Sequence, residues 1–485
     1  MESIWEKEID MPMYAPLKQD IKVHTAVIGG GMAGILTAYL LQKQGADVVV
    51  LEAQCIGSGQ TKHTTAKITS QHNLIYHKLL KSLGEERAKL YADANQEAIG
   101  IYRNLANQMS EKCAFEEKEN ILYATKSPAA IEEEVQVMQR LGLKASFVTK
   151  TELPFPITGA IRLEGQAQFH PLFFLKGLAE QLTVYERTMV RTIQDGTVIT
   201  DGGCVEAKHI VVATHYPFIN VPGYYFARQH QERSYVLSLY QAEQYSGMYL
   251  GVDQPIYSFR NTGNYLLFGG SAHRTGENRQ GGQYERLRKA AKEFYPNAVE
   301  TACWSAQDCM TLDGIPYIGQ YASPLHNIYV ATGFCKWGMT SAMVSAMILS
   351  DQILGKNNSF QEVFAPQRTT IKMSVKQAIK DGAHAIRGLT AGFLAPPRIA
   401  LDKLPKGHGG IVEADSKKMG VYKEDNETIH AVQVQCTHLG CQLEWNADER
   451  SWDCPCHGSR FDYKGNLIDN PAMEGLQYTV ISDSE

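Results

Sequence analysis

Two stretches of the chain share one pattern: an apolar run of strand length, a glycine-rich turn, then apolar positions at helical spacing. In residues 22–52, "KVHTAVIGGGMAGILTAYLLQKQGADVVVLE", the β-rich run Val23 to Ile28 precedes the glycines. Ile35, Ala38, Tyr39 and Leu41 mark a helix that stops near Gly45, and "DVVVLE" reads as a second buried strand. Residues 327–354, "NIYVATGFCKWGMTSAMVSAMILSDQIL", repeat strand, glycine turn and helix. Between them the spacing predicts an amphipathic helix over 84–110. A second follows Ser127-Pro128, with Ile131, Val135 and Met138 on its apolar face and Gly142 near its end. Short alternating strands fill 184–215 and end in "HIVVATH", and 255–273 reads as a hairpin about Thr262-Gly263-Asn264.

Further along, Ile371, Val375, Ile379, Ala383, Ile386 and Phe393 alternate with lysines over 369–394. That is a helix with one apolar face, expected to pack between domains, with membrane-surface docking as the weaker reading because its basic face is thin. "APP" at 395–397 ends it, and "KGHGG" at 406–410 is a loop. Residues 400–485 are short strands and turns, a small all-β unit. The expected organisation is one large α/β unit over 1–365, a linker helix over 366–399, and the β unit over 400–485.

Composition agrees with more than one core. The chain has 485 residues, 44% hydrophobic and 20% charged, with a formal net charge of -5. That balance argues against a large nucleic-acid-binding face. No apolar run reaches the roughly 18–20 residues of a membrane span. "MESIWEKEIDMPMY" lacks a basic segment followed by an apolar one, so no secretory signal is read there and the expected compartment is cytoplasmic. Of ten cysteines, Cys436, Cys441, Cys454 and Cys456 cluster near the end. Local clustering in a long chain favours a metal site over a disulfide scaffold.

"GGGMAG" supplies Gly29-x-Gly31-x-x-Gly34 between strand and helix. The first glycine permits the tight turn, the second lets a pyrophosphate approach, and the third lets helix and strand pack closely. The helix N-terminus then offers unpaired N–H groups to the phosphates. Glu52, closing the second strand, is placed to accept hydrogen bonds from an adenosine ribose.

"CTHLGC" and "CPCHGS" give Cys436-x-His438, fifteen residues, then Cys454-x-x-His457. A tetrahedral zinc site can be written from these residues. Yet zinc fingers usually pair like with like along the chain, whereas each loop here gives one thiol and one imidazole. That suits a two-iron cluster with both thiolates on one iron and both imidazoles on the other.

Over about 20–365 the chain resembles the FAD-dependent D-amino-acid and glycine (sarcosine) oxidase-dehydrogenase family. The resemblance rests on "VIGGGMAGILTAYLLQKQGADVVVLEA", "HIVVATHYP", "WSAQDCMTLDGIPYIG" and "NIYVATGFCKWGMT". It implies an FAD-binding fold of the glutathione-reductase-like type, with FAD parts over about 20–80, 155–220 and 303–365. An α+β substrate part is interleaved over about 81–154 and 221–302. It places Val190, Gly333, Gly338, Met339 and Thr340 at the cofactor, Lys67 on one flavin face, and Lys336 near the flavin N1–C2=O edge. Arg260 is the candidate for holding a substrate carboxylate. The chain departs from the family where many dehydrogenases read "RP": here stand Asp308 and Cys309. Cys309 lies two or three residues out of register with the cysteine that holds FAD covalently in some relatives.

Residues 400–485 resemble the Rieske [2Fe–2S] family. The resemblance implies Cys436, His438, Cys454 and His457 as cluster ligands and a Cys441–Cys456 disulfide tying the two loops. Ser459 would be a hydrogen-bond donor to the cluster, and "NPA" at 470–472 a covering loop. Phe461 stands where a second donor, a tyrosine, is common, so the expected potential is below that of fully hydrogen-bonded members, within about -150 to +300 mV. Together the two resemblances imply a dehydrogenase that takes a hydride from a small amine or amino acid and passes single electrons to an external acceptor, protein or quinone. Reversed electron flow and an oxidase with a structural cluster are the alternatives. A Rieske oxygenase is rejected, because the residues after His457 contain no histidine for a mononuclear iron.

Overall fold

Val48–Leu51 is buried along its whole length, as a strand covered on both faces must be. The computed structural model, which describes residues 2–109, 112–368, 401–414 and 417–481, places it in an eight-stranded sheet. Ile21–Ile28 runs parallel to Val48–Leu51 on one side and to Cys204–Val212 on the other, with Ile28 opposite both Leu51 and Val212. Ile328–Thr332 continues the parallel order, and Tyr317–Gln320 closes that edge antiparallel. Helix Met32–Lys43 returns across the sheet and packs on helix Gly338–Ile353, so the two glycine-turn units meet. Gly45, at φ +86°, ends the first helix.

A second, nine-stranded sheet carries the hairpin Ser258–Thr262 and Tyr265–Arg274, flanked by the long strands Gln229–Tyr240 and Val299–Thr311. The helices expected over 84–110 and after Pro128 are Glu85–Gln108 and Ala129–Arg140. Two strands run across the expected segment bounds. Gly159–Gln168, assigned to an FAD segment, pairs with Glu116–Ala124 in this second sheet. Val299–Thr311 crosses the expected boundary at 303 and belongs to the second sheet throughout. Both follow from backbone pairing, which apolar spacing does not register.

The C-terminal unit is two four-stranded antiparallel sheets. One contains Gly409–Ala414, Lys417–Lys423, Ile429–Gln433 and Tyr478–Ile481. The other contains Glu444–Asn446, Ser451–Asp453, Arg460–Asp462 and Leu467–Asp469. Trp452 and Phe461 form its centre, each fully buried. The helix expected over 369–394 lies outside the described residues. Among the described residues no helix is long and apolar enough to cross a membrane.

Candidate redox centres

The glycine turn is built for a ligand that lies against backbone. A Cβ on Gly29 would stand 2.5 Å from the carbonyl oxygen of Ala213, and one on Gly34 only 1.9 Å from that of Gly29. A Cβ on Gly31 meets nothing nearer than the Thr61 hydroxyl at 3.4 Å, so this position leaves open space in front of the helix N-terminus. The Glu52 carboxylate accepts hydrogen bonds from the backbone N–H of Gly30 at 2.7 Å and of Gln54 at 2.8 Å. It is thereby fixed at the end of its strand with lone pairs left for a ribose. Val190 is buried in one apolar cluster with Ile28, Leu51 and Val212. These features fit a dinucleotide.

The second glycine turn is strained. Gly333, Cys335 and Lys336 all have positive φ, and a Cβ on Gly333 would sit 2.2 Å from the Thr311 methyl. Gly338 opens the helix whose N-terminus this turn presents. Lys336 Nζ pairs with Glu232 at 2.8 Å. Thr340 is turned inward: its hydroxyl donates to the carbonyl of Thr69 at 3.1 Å and lies 2.9 Å from His72 Nε2. The Met339 carbonyl accepts from the Tyr102 hydroxyl at 2.9 Å. Both residues set the helix start through the scaffold.

Lys67 Nζ donates to the carbonyl of Tyr249 at 2.8 Å and to the Ser258 hydroxyl at 2.6 Å, both on strands of the second sheet to which Lys67–Ile68 itself belongs. Burial, with the neighbouring Arg260, pulls its pKa down to about 7. Arg260 is a scaffold group in this structure. Its guanidinium donates to Gln168 at 2.9 Å, to the Phe169 carbonyl at 2.9 Å and to the Thr65 carbonyl, and lies over the Trp5 ring. With those donors fixed on backbone, the expected role in holding a carboxylate does not follow from its placement.

The strands Gln229–Tyr240 and Val299–Thr311 form a wall with two different faces. On one, Glu232 and Asp308 are half-buried beside Lys336. Burial pushes the Asp308 carboxyl up to about 6, partly offset by Lys336. On the other, Gln231, Arg233, Gln307 and Cys309 are buried. The cluster loops sit against this second face. Gln231 donates to the carbonyls of His457 at 2.9 Å and Asn470 at 3.0 Å, and Gln307 donates to that of Gly458 at 2.9 Å. Asn470, beside Pro471 in the loop expected to cover the cluster, donates to the carbonyls of Thr214 and Tyr216 at 2.7 and 2.8 Å. Arg233 forms a buried pair with Glu449, which Arg460 also contacts at 3.1 Å. Sequence reading missed the roles of Gln231, Gln307 and Arg233, although Gln307 lies inside "WSAQDCMTLDGIPYIG".

The four expected cluster ligands fall into two close pairs, His438 with His457 and Cys436 with Cys454. The His438 and His457 rings lie 5.0 Å apart at 89°, and the Nδ1 atom of each is buried without a hydrogen-bond partner. Two orphaned ring nitrogens side by side fit ligation to iron. Cys436 and Cys454 are buried and hydrogen-bonded to each other, which pulls the Cys436 thiol down and pushes Cys454 up. Cys441 and Cys456 are joined in a disulfide. Their sulfurs approach Cys454 closely enough to resemble a three-thiol metal site. Bonded to each other, they leave Cys454 to act with Cys436. Ser459 Oγ accepts from the Ala472 N–H at 3.0 Å, and Phe461 is wholly buried.

A sheet that binds a dinucleotide, a second sheet alongside it and a terminal β unit bearing paired histidines and cysteines define a two-centre redox protein. The chain belongs to the FAD dependent oxidoreductase (DAO) family, which matches residues 24–352, and carries a Rieske [2Fe-2S] domain match over 397–479. Over 98% of its length it is 36% identical to "Putative Rieske 2Fe-2S iron-sulfur protein YhfW" of Bacillus subtilis (strain 168), covering 97% of that protein. It is 29% identical to gamma-glutamylputrescine oxidoreductase of Escherichia coli (strain K12), over 41% of this chain and 51% of that one. Glycine oxidase from Geobacillus kaustophilus superposes with a TM-score of 0.61 at 19% identity, covering 72% of this chain and 99% of that one. L-proline dehydrogenase from P. horikoshii gives 0.60 at 17%, covering 73% and 98%. These likenesses establish an FAD-dependent oxidoreductase with a Rieske domain and give its cofactors as FAD and a [2Fe–2S] cluster.

Proposed function

We propose that this protein is a dehydrogenase of small amines or amino acids that delivers electrons singly to an external one-electron acceptor, protein or quinone. FAD, when bound, supplies hydride abstraction from the carbon next to nitrogen, and the cluster supplies single-electron exchange. In this reading the flavoprotein unit extends to about residue 365, the cluster unit begins near 400, and the protein works in the cytoplasm.

The observation that carries the reading is the seating of the cluster loops on the wall strands. The carbonyls of His457 and Gly458 are hydrogen-bonded to Gln231 and Gln307. The adjacent residues Glu232 and Asp308 face the glycine turn of Lys336. A structural cluster far from the flavoprotein face would need no such contact.

The chain's own groups divide the remaining work. Gly31 and Glu52 seat and orient the dinucleotide. The N-terminus opened by Gly338 favours negative charge at its end. Lys67 holds an ammonium that exchanges its proton near neutrality. Two carboxylates facing one ammonium on the half-buried side of the wall suit a substrate cation, and favour the amine half of the substrate class.

The test is anaerobic mixing with a panel of amines and amino acids. Bleaching of the flavin band followed by the cluster's magnetic signal supports the dehydrogenase. Filling of the cluster first, by an external reductant only, refutes it in favour of reversed flow. Peroxide release undiminished in a protein lacking the cluster refutes it in favour of an oxidase.

A further inference from the structure

Among the described residues a flavoprotein side chain reaches the imidazole of a cluster ligand. His438 Nε2 lies 2.9 Å from Asn220 Oδ1, across 218 residues of sequence. Once Nδ1 is committed to iron, Nε2 must carry the proton, so the imidazole donates and the Asn220 carbonyl oxygen accepts. His457 is treated differently: its ring lies edge-on to Phe226, at 5.9 Å between centroids. The two histidines of one cluster thus meet unlike neighbours, both from the segment after "HIVVATHYP".

Asn220 is held firmly. Its carbonyl accepts from the Tyr224 N–H at 3.1 Å, and the preceding carbonyl, of Ile219, accepts from the Tyr321 hydroxyl at 2.6 Å. The side chain is presented to His438 by a turn anchored in the flavoprotein core, where Tyr321 and Tyr225 are buried.

We propose that Asn220 is a positioning residue through which the flavoprotein unit sets the potential of the cluster. An acceptor on the distal N–H makes the imidazole a stronger donor to iron. The oxidised cluster gains more than the reduced one, so the bond lowers the midpoint potential. It opposes Ser459, whose hydroxyl withdraws charge from the sulfur side. The effect exists only while the two units are docked, so the potential of the cluster reports the assembled state. This inference rests on the Rieske reading of Cys436, His438, Cys454 and His457.

The experiment is an anaerobic redox titration of the holoprotein and its Asn220→Leu and Asn220→Asp variants, with the cluster followed by EPR and its imidazole nitrogens by pulsed EPR. Asn220→Leu, which removes the acceptor, shifts the midpoint upward. Asn220→Asp, a stronger acceptor of similar size, shifts it downward. The nitrogen couplings of one histidine move in the same order while those of the other stay. If the leucine variant fails to hold its cluster, the aspartate variant alone decides. Midpoints equal to the parent's, or shifts of one sign in both variants, overturn the proposal. A parent protein without the Rieske signal overturns the cluster reading itself, a result distinct from an unshifted midpoint.

Discussion

Replacing Glu449 by glutamine removes the charge that two buried arginines share. Arg233 is 2% exposed and Glu449 10%. Arg233 would keep Ser305 and a distant contact with Asp469 at 3.8 Å, while Arg460 would keep Asp453 at 3.0 Å and Asp469 at 2.9 Å. Breaking a buried pair from one side typically costs about 3–5 kcal/mol. Because Asp469 remains and glutamine still offers an acceptor, the lower end applies: about 3 kcal/mol, or roughly a hundredfold in the docking equilibrium. The assay is urea unfolding followed by loss of the cluster's visible absorbance, run as a cycle with Arg233→Met. The double variant should lose at least about 1 kcal/mol less than the sum of the singles, since Arg233 is then no longer present to be left without its carboxylate. Acid gives an independent arm. Burial pushes the Glu449 carboxyl up, but Arg233 and Arg460 outweigh it and hold the carboxyl at about 2. Its folded pKa lies below the unfolded value of about 4.3, so the stabilisation is complete above that pH and is lost as pH falls through 2. Additive single effects, or an unfolding midpoint that ignores Glu449→Gln, would refute the view that this pair clamps the units.

Gly34→Ala should abolish FAD retention, because its new Cβ would stand 1.9 Å from a carbonyl oxygen of the cofactor turn; the ratio of flavin to protein absorbance measures it. Cys441→Ser opens a loop of sequence separation 15 and should lower the stability of the cluster unit by about 3 kcal/mol, read from its urea midpoint. Asp308, raised to about 6 by burial, binds a proton in the folded state that the unfolded chain has already lost. Stability should therefore fall as pH rises from about 3.9 to 6, and Asp308→Asn should flatten that part of the melting-temperature profile.

The glycine-turn units and the cluster ligands were legible because local chemistry dictates them. Gly29, Gly31 and Gly34 answer to a tight turn, and Cys436 with His438 to the reach of one loop. The wall was not legible. In Gln229–Tyr240 the buried face begins Gln229, Gln231, Arg233, so alternation is present but its inner residues are polar. Gln231 is polar because it meets backbone carbonyls of the cluster loops, and Arg233 because it meets the Glu449 carboxylate. The partners lie far off in sequence: Arg233 and Glu449 are 216 residues apart. Arg260 shows the reverse case, since an arginine suited to a carboxylate donates to carbonyls that only the fold brings near.

Gln231 and Glu232 are consecutive residues on one strand, and Gln307 and Asp308 on its neighbour. A ligand settling against the carboxylates would bear on the same two strands whose Gln231 and Gln307 side chains hold the iron–sulfur loops. Occupancy of the organic site should therefore be audible at the metal before any electron has moved, as a change in the cluster's g-values on adding a non-oxidisable amine in the dark.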